Sequence, residues 1–576
     1  MPLPDASLNL VETFDEAESF MRWLGERRAV LAIDTETGGL DWWKDPLRLV
    51  QFGDTHTGWA VPWHLWAGLA VDALRLYTGP VVFHNAKFDL HFLRQNGVRI
   101  ARDKVHDTQT MAHLVDPGNR IGLKDVSCRL VDPEAASGQS ELKKAMSVNK
   151  WTWATVPHDL PAFWVYAALD TVLTAHLYEQ LRPQVVTTYN ELYEVEMAAM
   201  HVIAEMEVRG ARIDLEYCEL KLAELEHYSG AIRQWCEDTY GFGPGSNKQV
   251  AAQLQRDGIV LTKTTDSGAW SVDEAVLKEH SDHPLAARVL EVRHSDKLAH
   301  TYFENFLANH DDGVLHPSVK MQGTRTGRMA IGNGLHQLPR SRFLRDTFIP
   351  RTGNELLTAD YDQIEARLCA HFSRDPGLIA AFEEEGDFFA NLGKQMYNDP
   401  SFTKADPRRP VVKNGTYAKI YCSGVQTFAD TIGVPFAEAA TFLALYDATF
   451  PGVKRLQREI DTVALARYQN EGTAYVTTQL GRREPVEDPK WSYKLVNYLI
   501  QGTAADILKT KIVELDAAGA CEYLILPVHD EVVFDVPAAE AQDLMHLVTE
   551  VMADDSYAVP LTAGAEIIDR WGEKYA

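Results

Sequence analysis

Hydrophobic periodicity changes along these 576 residues in a way that no single layered domain can absorb. Up to about residue 190, short apolar runs alternate with amphipathic stretches, the pattern of an α/β layer, and Ala29 to Asp34 and Pro80 to Phe83 are the clearest strands. From Leu192 to about Ala308 the sequence is charged and helix-periodic, broken by the loop Gly241 to Ser246. Strand-like runs return from about Gly313, and helical sequence rich in Tyr, Ala and Lys interrupts them between about 376 and 470. This pattern predicts an α/β domain, an elongated helical region and a mixed domain split by an insertion. An apolar fraction of 45% fits a chain that packs along its whole length.

A net charge of −26 excludes a generally basic nucleic-acid binder, so any affinity for phosphate has to reside in local strips of Lys and Arg. Six scattered cysteines form no CxxC pair and have no histidine at zinc spacing, and they read as reduced structural thiols. The N-terminus starts acidic and polar, without the features of a signal peptide, and no run approaches the roughly 18 apolar residues of a membrane span. A cytoplasmic protein with no membrane contact is expected.

Carboxylates gather in two places. Asp34-Thr35-Glu36-Thr37 follows the apolar run Ala29 to Ile33, and a period of two puts Asp34 and Glu36 on one side of the strand, where they can share a cation. Downstream, Val81 to Phe83 leads into His84-Asn85-Ala86-Lys87-Phe88-Asp89, with Asp89 near a helix start. Asp159-Leu160-Pro161 then predicts a helix opened by an N-cap-like aspartate and an early proline, on which Tyr166 and Asp170 stand at i and i+4. Hydrolysis of a phosphodiester needs an activated water and a stabilised leaving oxygen, work suited to two cations held by four acids. Any one of these pieces alone is more simply a cap or a core aromatic. Together, in this order, they resemble the proofreading 3′-5′ exonuclease domain with three Asp, one Glu and a Tyr. That resemblance implies Asp34, Glu36, Asp89 and Asp170 as metal ligands and Tyr166 as the residue that orients the attacking water.

The second gathering is in the mixed region. Asn354 to Ala359 predicts a strand that delivers Asp360 at its mouth, and Tyr523 to Val528 with Val532 to Val536 predicts a hairpin turning at His529-Asp530-Glu531. Pro527 favours an edge or irregular position. Between them Arg408 to Tyr421 predicts a helix with Pro410 in its first turn. On it Arg409, Lys413, Tyr417 and Tyr421 recur every four residues as one stripe, cations first and aromatics after, as a nucleotide laid along the helix would require.

These segments look like motifs A, B and C of the family A DNA polymerases, the bacterial polymerase I and bacteriophage replicase family. Thr324-Arg325-Thr326-Gly327-Arg328, Gln479 to Arg483 and Asn497 to Asp506 stand in the expected order. The resemblance implies an α/β exonuclease domain, RNase H-like with a mixed sheet and helices, over residues 1–190. A right-hand α+β polymerase domain follows over 191–576, with the thumb at about 195–312, the palm at about 313–375 and 495–576, and the fingers at about 376–494. It further implies catalytic residues Asp360, Asp530, Glu531 and Tyr166, with Asp360 and Asp530 holding two Mg2+, for which Mn2+ can substitute. Arg409, Lys413, Tyr417, Tyr421 and Glu365 would contact the dNTP, and Arg328, Gln501 and His529 the primer–template DNA. A monomer of bacteriophage type without a 5′ nuclease domain, active in a host cytoplasm, completes the expectation. A single-subunit RNA polymerase, or an exonuclease with an inactive palm, fits less well given Glu365, Asp360, Lys413 and Asp530.

Several positions depart from the family pattern. Ala418 and Cys422 replace glycines, Asp362 replaces a small residue, Phe389 stands where a histidine is usual, and Leu335-His336-Gln337-Leu338 is shifted.

Overall fold

The computed structural model describes residues 6–26, 28–332, 335 and 338–575, so His336 and Gln337 of the shifted stretch lie outside the described residues. The N-terminal region is a mixed six-stranded sheet formed by β1 (Ser7–Leu10), β2 (Leu31–Thr37), β3 (Leu47–Gly53), β4 (Thr57–Pro62), β5 (Val81–Phe83) and β6 (Val105–Asp107). Its order is β1-β4-β3-β2-β5-β6, in which β3 runs antiparallel to β2 and β4, and the remaining pairs are parallel. The tight return from β3 to β4 is set by Asp54, whose Oδ1 accepts from the backbone N–H of His56 and Thr57, each at 2.9 Å. Helix Pro161–Thr188 lies across this sheet at close range. A Cβ on Gly58 would come within 2.4 Å of the Ala168 carbonyl oxygen, so only glycine permits the approach. Pro161 does open this helix, but the capping position belongs to Leu160 and not to Asp159, and it has no side-chain bond to the helix.

The chain breaks at Tyr189 and continues as helix Asn190–Arg209, which packs on the N-terminal region on one side and on the long helix Leu495–Ala517 on the other. Next come the helices Leu215–Tyr240, Asn247–Arg256, Glu274–Glu279 and Pro284–Asp296, joined by a core of their own around Ile232, Val250, Leu254 and Val289. A π-helical stretch, Lys297–Phe303, leads from them into the short helix Glu304–Ala308.

A four-stranded antiparallel sheet forms the centre of the C-terminal region. Its order is Leu524–Val528, Glu531–Pro537, Asn354–Tyr361, Ala563–Ile568. Pro527 falls on the edge strand, where its missing N–H costs no ladder bond. Asp360 is paired directly with Glu531, so both side chains rise from the same face. The hairpin turn consists of His529 and Asp530 alone, with His529 at φ 60°, and Glu531 is the first residue of the returning strand rather than part of the turn. The inserted helices include Arg409–Ile420, with Tyr421 as its C-terminal cap and not an interior residue.

Three acids are buried at the junction of the regions, and each has cationic partners. Glu196 accepts from Lys509 Nζ at 2.8 Å through both oxygens and from Arg482 Nη2 at 2.5 Å, and Arg482 also meets Asp506 at 2.7 Å. Glu207 accepts from Lys87 Nζ at 2.6 Å and faces His91 Nε2 at 2.5 Å. Removing one member of such a group strands a charge in low dielectric, at about 3–5 kcal/mol. Glu196→Ala should therefore lower the unfolding free energy by about that much, whereas Glu18→Ala, which breaks the exposed i,i+4 pair with Arg22, should leave the urea midpoint in place. Equal midpoints for the two variants would refute the assignment.

Candidate active sites

The N-terminal acids converge because β2 ends under helix Pro161–Thr188. Carboxylate oxygens of Asp34, Glu36 and Asp170 all lie within 4.8 Å of one another. The fourth expected acid, Asp89, stands close by on helix Ala86–Gln95 but turns its Oδ1 to the Thr35 hydroxyl at 2.6 Å. Burial, followed by mutual repulsion, raises Asp34 well above the usual carboxylate range and pushes Glu36 up to about 8. Burial likewise pushes Asp89 to about 8. Tyr166 lines the same cluster, its hydroxyl raised by burial and by Asp170. A cation absent from the sequence expectation sits there too. Lys124 Nζ is ion-paired with Asp170 Oδ1 and lies 4.5 Å from the Tyr166 ring centroid. A single lysine at a helix start carries no sequence signal that would have marked it.

The second site is a cavity of about 900 Å3 lined by Asp360, Asp530, Glu365, Arg328, Gln501 and His529 on one side and by Arg409, Lys413, Tyr417 and Tyr421 on the other. The structure thus brings together every polymerase-site residue expected from sequence except Glu531. Burial and the neighbouring Asp360 push Asp530 up to about 6, and burial also raises Asp360. Asp360 Oδ2 accepts from Lys574 Nζ at 3.2 Å, while its Oδ1 is buried without a hydrogen-bond partner among the described residues. An orphaned carboxylate oxygen beside a second acid is a donor set that suits a hard divalent cation, as does the trio at the first site.

Glu531 is differently placed. Its Oε1 accepts from Trp571 Nε1 at 3.0 Å and Lys574 Nζ at 3.1 Å, and its Oε2 from Arg345 Nη1 at 3.3 Å and Tyr575 OH at 3.2 Å. With both oxygens engaged, it ties the segment Trp571–Tyr575 to the floor of the site. Glu365 is held by the Tyr421 hydroxyl at 2.5 Å and by an ion pair with Arg328. Arg409 donates Nε and Nη2, one edge of its guanidinium, to the two carboxylate oxygens of Asp387 at 2.7 and 2.5 Å.

The departures have structural answers. Phe389 is buried beside the stripe, 5.5 Å from the Arg409 guanidinium and 6.0 Å from the Tyr417 ring. Cys422 takes φ 52°, a conformation that favours the glycine it replaces. The Asp362 carboxylate accepts from the Thr562 hydroxyl at 2.8 Å at an exposed edge.

Two acid clusters, one at the end of an inner strand of a mixed sheet and one facing a cationic and aromatic helix, define an enzyme of phosphodiester chemistry. Comparison with known proteins supplies the lineage. Residues 216–573 match the profile described as DNA polymerase family A, and residues 8–186 match one described as 3′-5′ exonuclease. The chain belongs to DNA polymerase family A and is a DNA polymerase with a 3′-5′ exonuclease domain. It is 29% identical to a DNA polymerase of Mycobacterium phage L5, over 99% of this chain and 97% of that protein. It is 30% identical to DNA polymerase I of Chloroflexus aurantiacus, over 86% of this chain and 55% of that longer protein. A solved structure described as the POL domain of Pol1 from M. smegmatis in complex with DNA primer-template and dNTP is 25% identical, with a TM-score of 0.78 and coverage of 98% and 99% of the two chains.

The raised carboxylates set a pH dependence. Between their ordinary range near 4 and the folded values near 8, the folded chain binds more protons than the unfolded one, so stability falls as pH rises through that window. In chelator the melting temperature should drop from pH 5 to pH 8, and Asp34→Asn with Glu36→Gln should flatten the decline. A divalent cation added at pH 8 should restore much of the loss. Calorimetry that found the same slope in the parent and the double variant would contradict this.

Proposed function

We propose that the chain replicates DNA as a bacteriophage polymerase does, extending a primer at the Asp360 and Asp530 cavity and removing 3′-terminal nucleotides at the Asp34, Glu36, Asp89 and Asp170 cluster. The observation that supports this best is the cavity itself, in which two palm acids face the stripe Arg409, Lys413, Tyr417 and Tyr421. Two divalent cations per site, Mg2+ with Mn2+ as a substitute, would lower the pKa of the attacking oxygen and stabilise the leaving one.

The protein's own groups do the rest. Lys413 and Arg409 counter the triphosphate charge and steady the departing pyrophosphate, and Asp387 fixes the Arg409 guanidinium so that little reorganisation is needed. Tyr417 packs against the sugar. Glu365, anchored by Tyr421 and Arg328, closes the space a 2′-hydroxyl would need. Arg328, Gln501 and His529 contact primer–template, and base pairing rather than side chains selects the nucleotide. At the exonuclease site Tyr166 orients the attacking water, and Lys124 balances part of the acid charge. The full-length likeness to a phage polymerase favours a replicative role, as a monomer in the host cytoplasm.

The acids of the two activities lie in different regions, so the activities should separate. Asp360→Ala or Asp530→Ala should abolish primer extension and leave degradation of single-stranded DNA, and Asp34→Ala with Glu36→Ala should do the reverse. Loss of both activities from either change, in folded protein, would overturn the two-site reading.

Tyr417 gives a sharper test. Its hydroxyl, buried and pushed up to about 12 by burial and by Glu365, stays protonated and can fill the place of a missing 3′-hydroxyl. The enzyme should accept dideoxynucleotides readily, and Tyr417→Phe should raise the deoxy to dideoxy ratio of kcat/KM by about tenfold or more, the worth of one buried hydrogen bond. An unchanged ratio would show that Tyr417 does not sense the sugar.

A further inference from the structure

A second cavity, of about 410 Å3, lies where the exonuclease region meets the palm, and neither acid cluster opens into it. Its walls come from β6, helix Pro161–Thr188, helix Asn190–Arg209 and the end of helix Leu495–Ala517. The volume is within the range of about 300–1,000 Å3 common for small-ligand sites. Two of its polar groups have buried atoms with nothing to bond. His201 is 7% exposed, and its Nε2 finds no partner among the described residues. Arg182 Nη1 is buried and unpartnered in the same way, with the guanidinium 5.5 Å from the Tyr193 ring centroid. A guanidinium N–H left without an acceptor is costly, and the group that relieves it must bring an acceptor.

The charge of the cavity specifies that acceptor further. Burial first, and then Arg182 and Arg102 respectively, hold His106 and His201 down at about 4, with Glu205 opposing the shift of His201. Asp516 is already engaged by Arg102 Nη1 at 3.0 Å, and Asp103 and Glu194 are exposed at the mouth. The lining also includes the apolar side chains of Met197, Val202 and Val513. A bare phosphate would leave these apolar side chains without a partner.

We propose that this cavity binds a nucleoside 5′-monophosphate, its phosphate toward Arg182 and His201 and its nucleoside against Met197, Val202 and Val513. Hydrolysis of a DNA 3′ end liberates this class of molecule, so the exonuclease region supplies the ligand. The cavity also touches that region's framework. Tyr193 OH bonds His106 Nδ1 and accepts from the Asp107 N–H, each at 3.2 Å. The Asp107 carboxylate accepts from the N–H of Asn85 and Ala86 at 3.0 and 3.2 Å, which fixes the start of the helix bearing Asp89. Occupancy would brace this chain of contacts.

The test is equilibrium dialysis of radiolabelled dAMP against the full chain carrying Asp34→Ala and Glu36→Ala, in EDTA, so that the exonuclease acids take up neither cation nor product. One dAMP per chain should bind. Arg182→Gln and His201→Leu should each weaken binding about tenfold to a hundredfold, the effect of one charge-assisted hydrogen bond, with melting temperatures showing that both variants are folded. Absence of bound dAMP, or equal binding by the Arg182→Gln variant and its parent, would overturn the proposal. Deoxyadenosine competing as well as dAMP would remove the anion from the assignment, and inorganic phosphate competing as well would remove the nucleoside.

Discussion

The antiparallel pairing of Asn354 to Asp360 with Pro537 to Glu531 is the constraint on which the polymerase site rests. It joins segments about 170 residues apart in sequence, and it sets Asp360 opposite Glu531 with Asp530 at the adjoining turn. Side chains alternate along a strand, so a slip of one residue would turn Asp360 away from the cavity and bring Ala359 or Tyr361 in its place. The register is secured from outside the sheet. The four donors on Glu531 come from Arg345 and from the segment Trp571–Tyr575, and Arg345 is itself stacked between Trp571 at 4.0 Å and Tyr575 at 4.4 Å. The carboxylate nearest the reacting acids therefore acts through position.

The buried acids differ in what surrounds them. Where a buried carboxylate has cations in contact, as Glu196 and Glu207 do, its pKa lies below the usual value and it binds elements together. Where it has other carboxylates as neighbours, as Asp34, Glu36 and Asp530 do, burial and their repulsion raise its pKa although Lys124 and Arg340 pull the other way. The second class marks the two sites where chemistry is expected, and the first marks the joints between regions. The net charge of −26 is compatible with DNA for this reason. Much of the acid is internal or committed, and the basic stripe of helix Arg409–Ile420 is concentrated in one cavity.

The strands bearing Asp34 and Asp360, the hairpin around Asp530 and the stripe Arg409, Lys413, Tyr417 and Tyr421 were legible because each depends on local period: alternation along a strand or four-residue recurrence on a helix. Even the edge position of Pro527 followed from a local rule. Contacts across distance were not legible. Lys124 meets Asp170 from 46 residues away, Glu365 reaches Tyr421 across 56, and Lys509 reaches Glu196 across 313. Asp387 caps helix Phe388–Tyr397, and both that role and its grip on Arg409 came only with the fold. Caps erred by a residue, at Leu160 and Tyr421, because backbone geometry and not residue type decided where those helices ended.

One unbroken cluster of buried apolar side chains runs from Phe20 and Ile33 through Met200 and Ile203 to Leu356 and Val533, while Ile232 to Val292 form a separate one. The exonuclease region and the palm thus share one continuous core, and the helical arm has a core of its own, joined to the rest through helix Leu215–Tyr240 and the π-helical stretch Lys297–Phe303. A frayed primer end would have to cross between the two acid clusters itself, since the regions that carry them are packed together. Under the proposed function, editing would then be a contest between how readily a few terminal base pairs melt and how quickly the next nucleotide arrives.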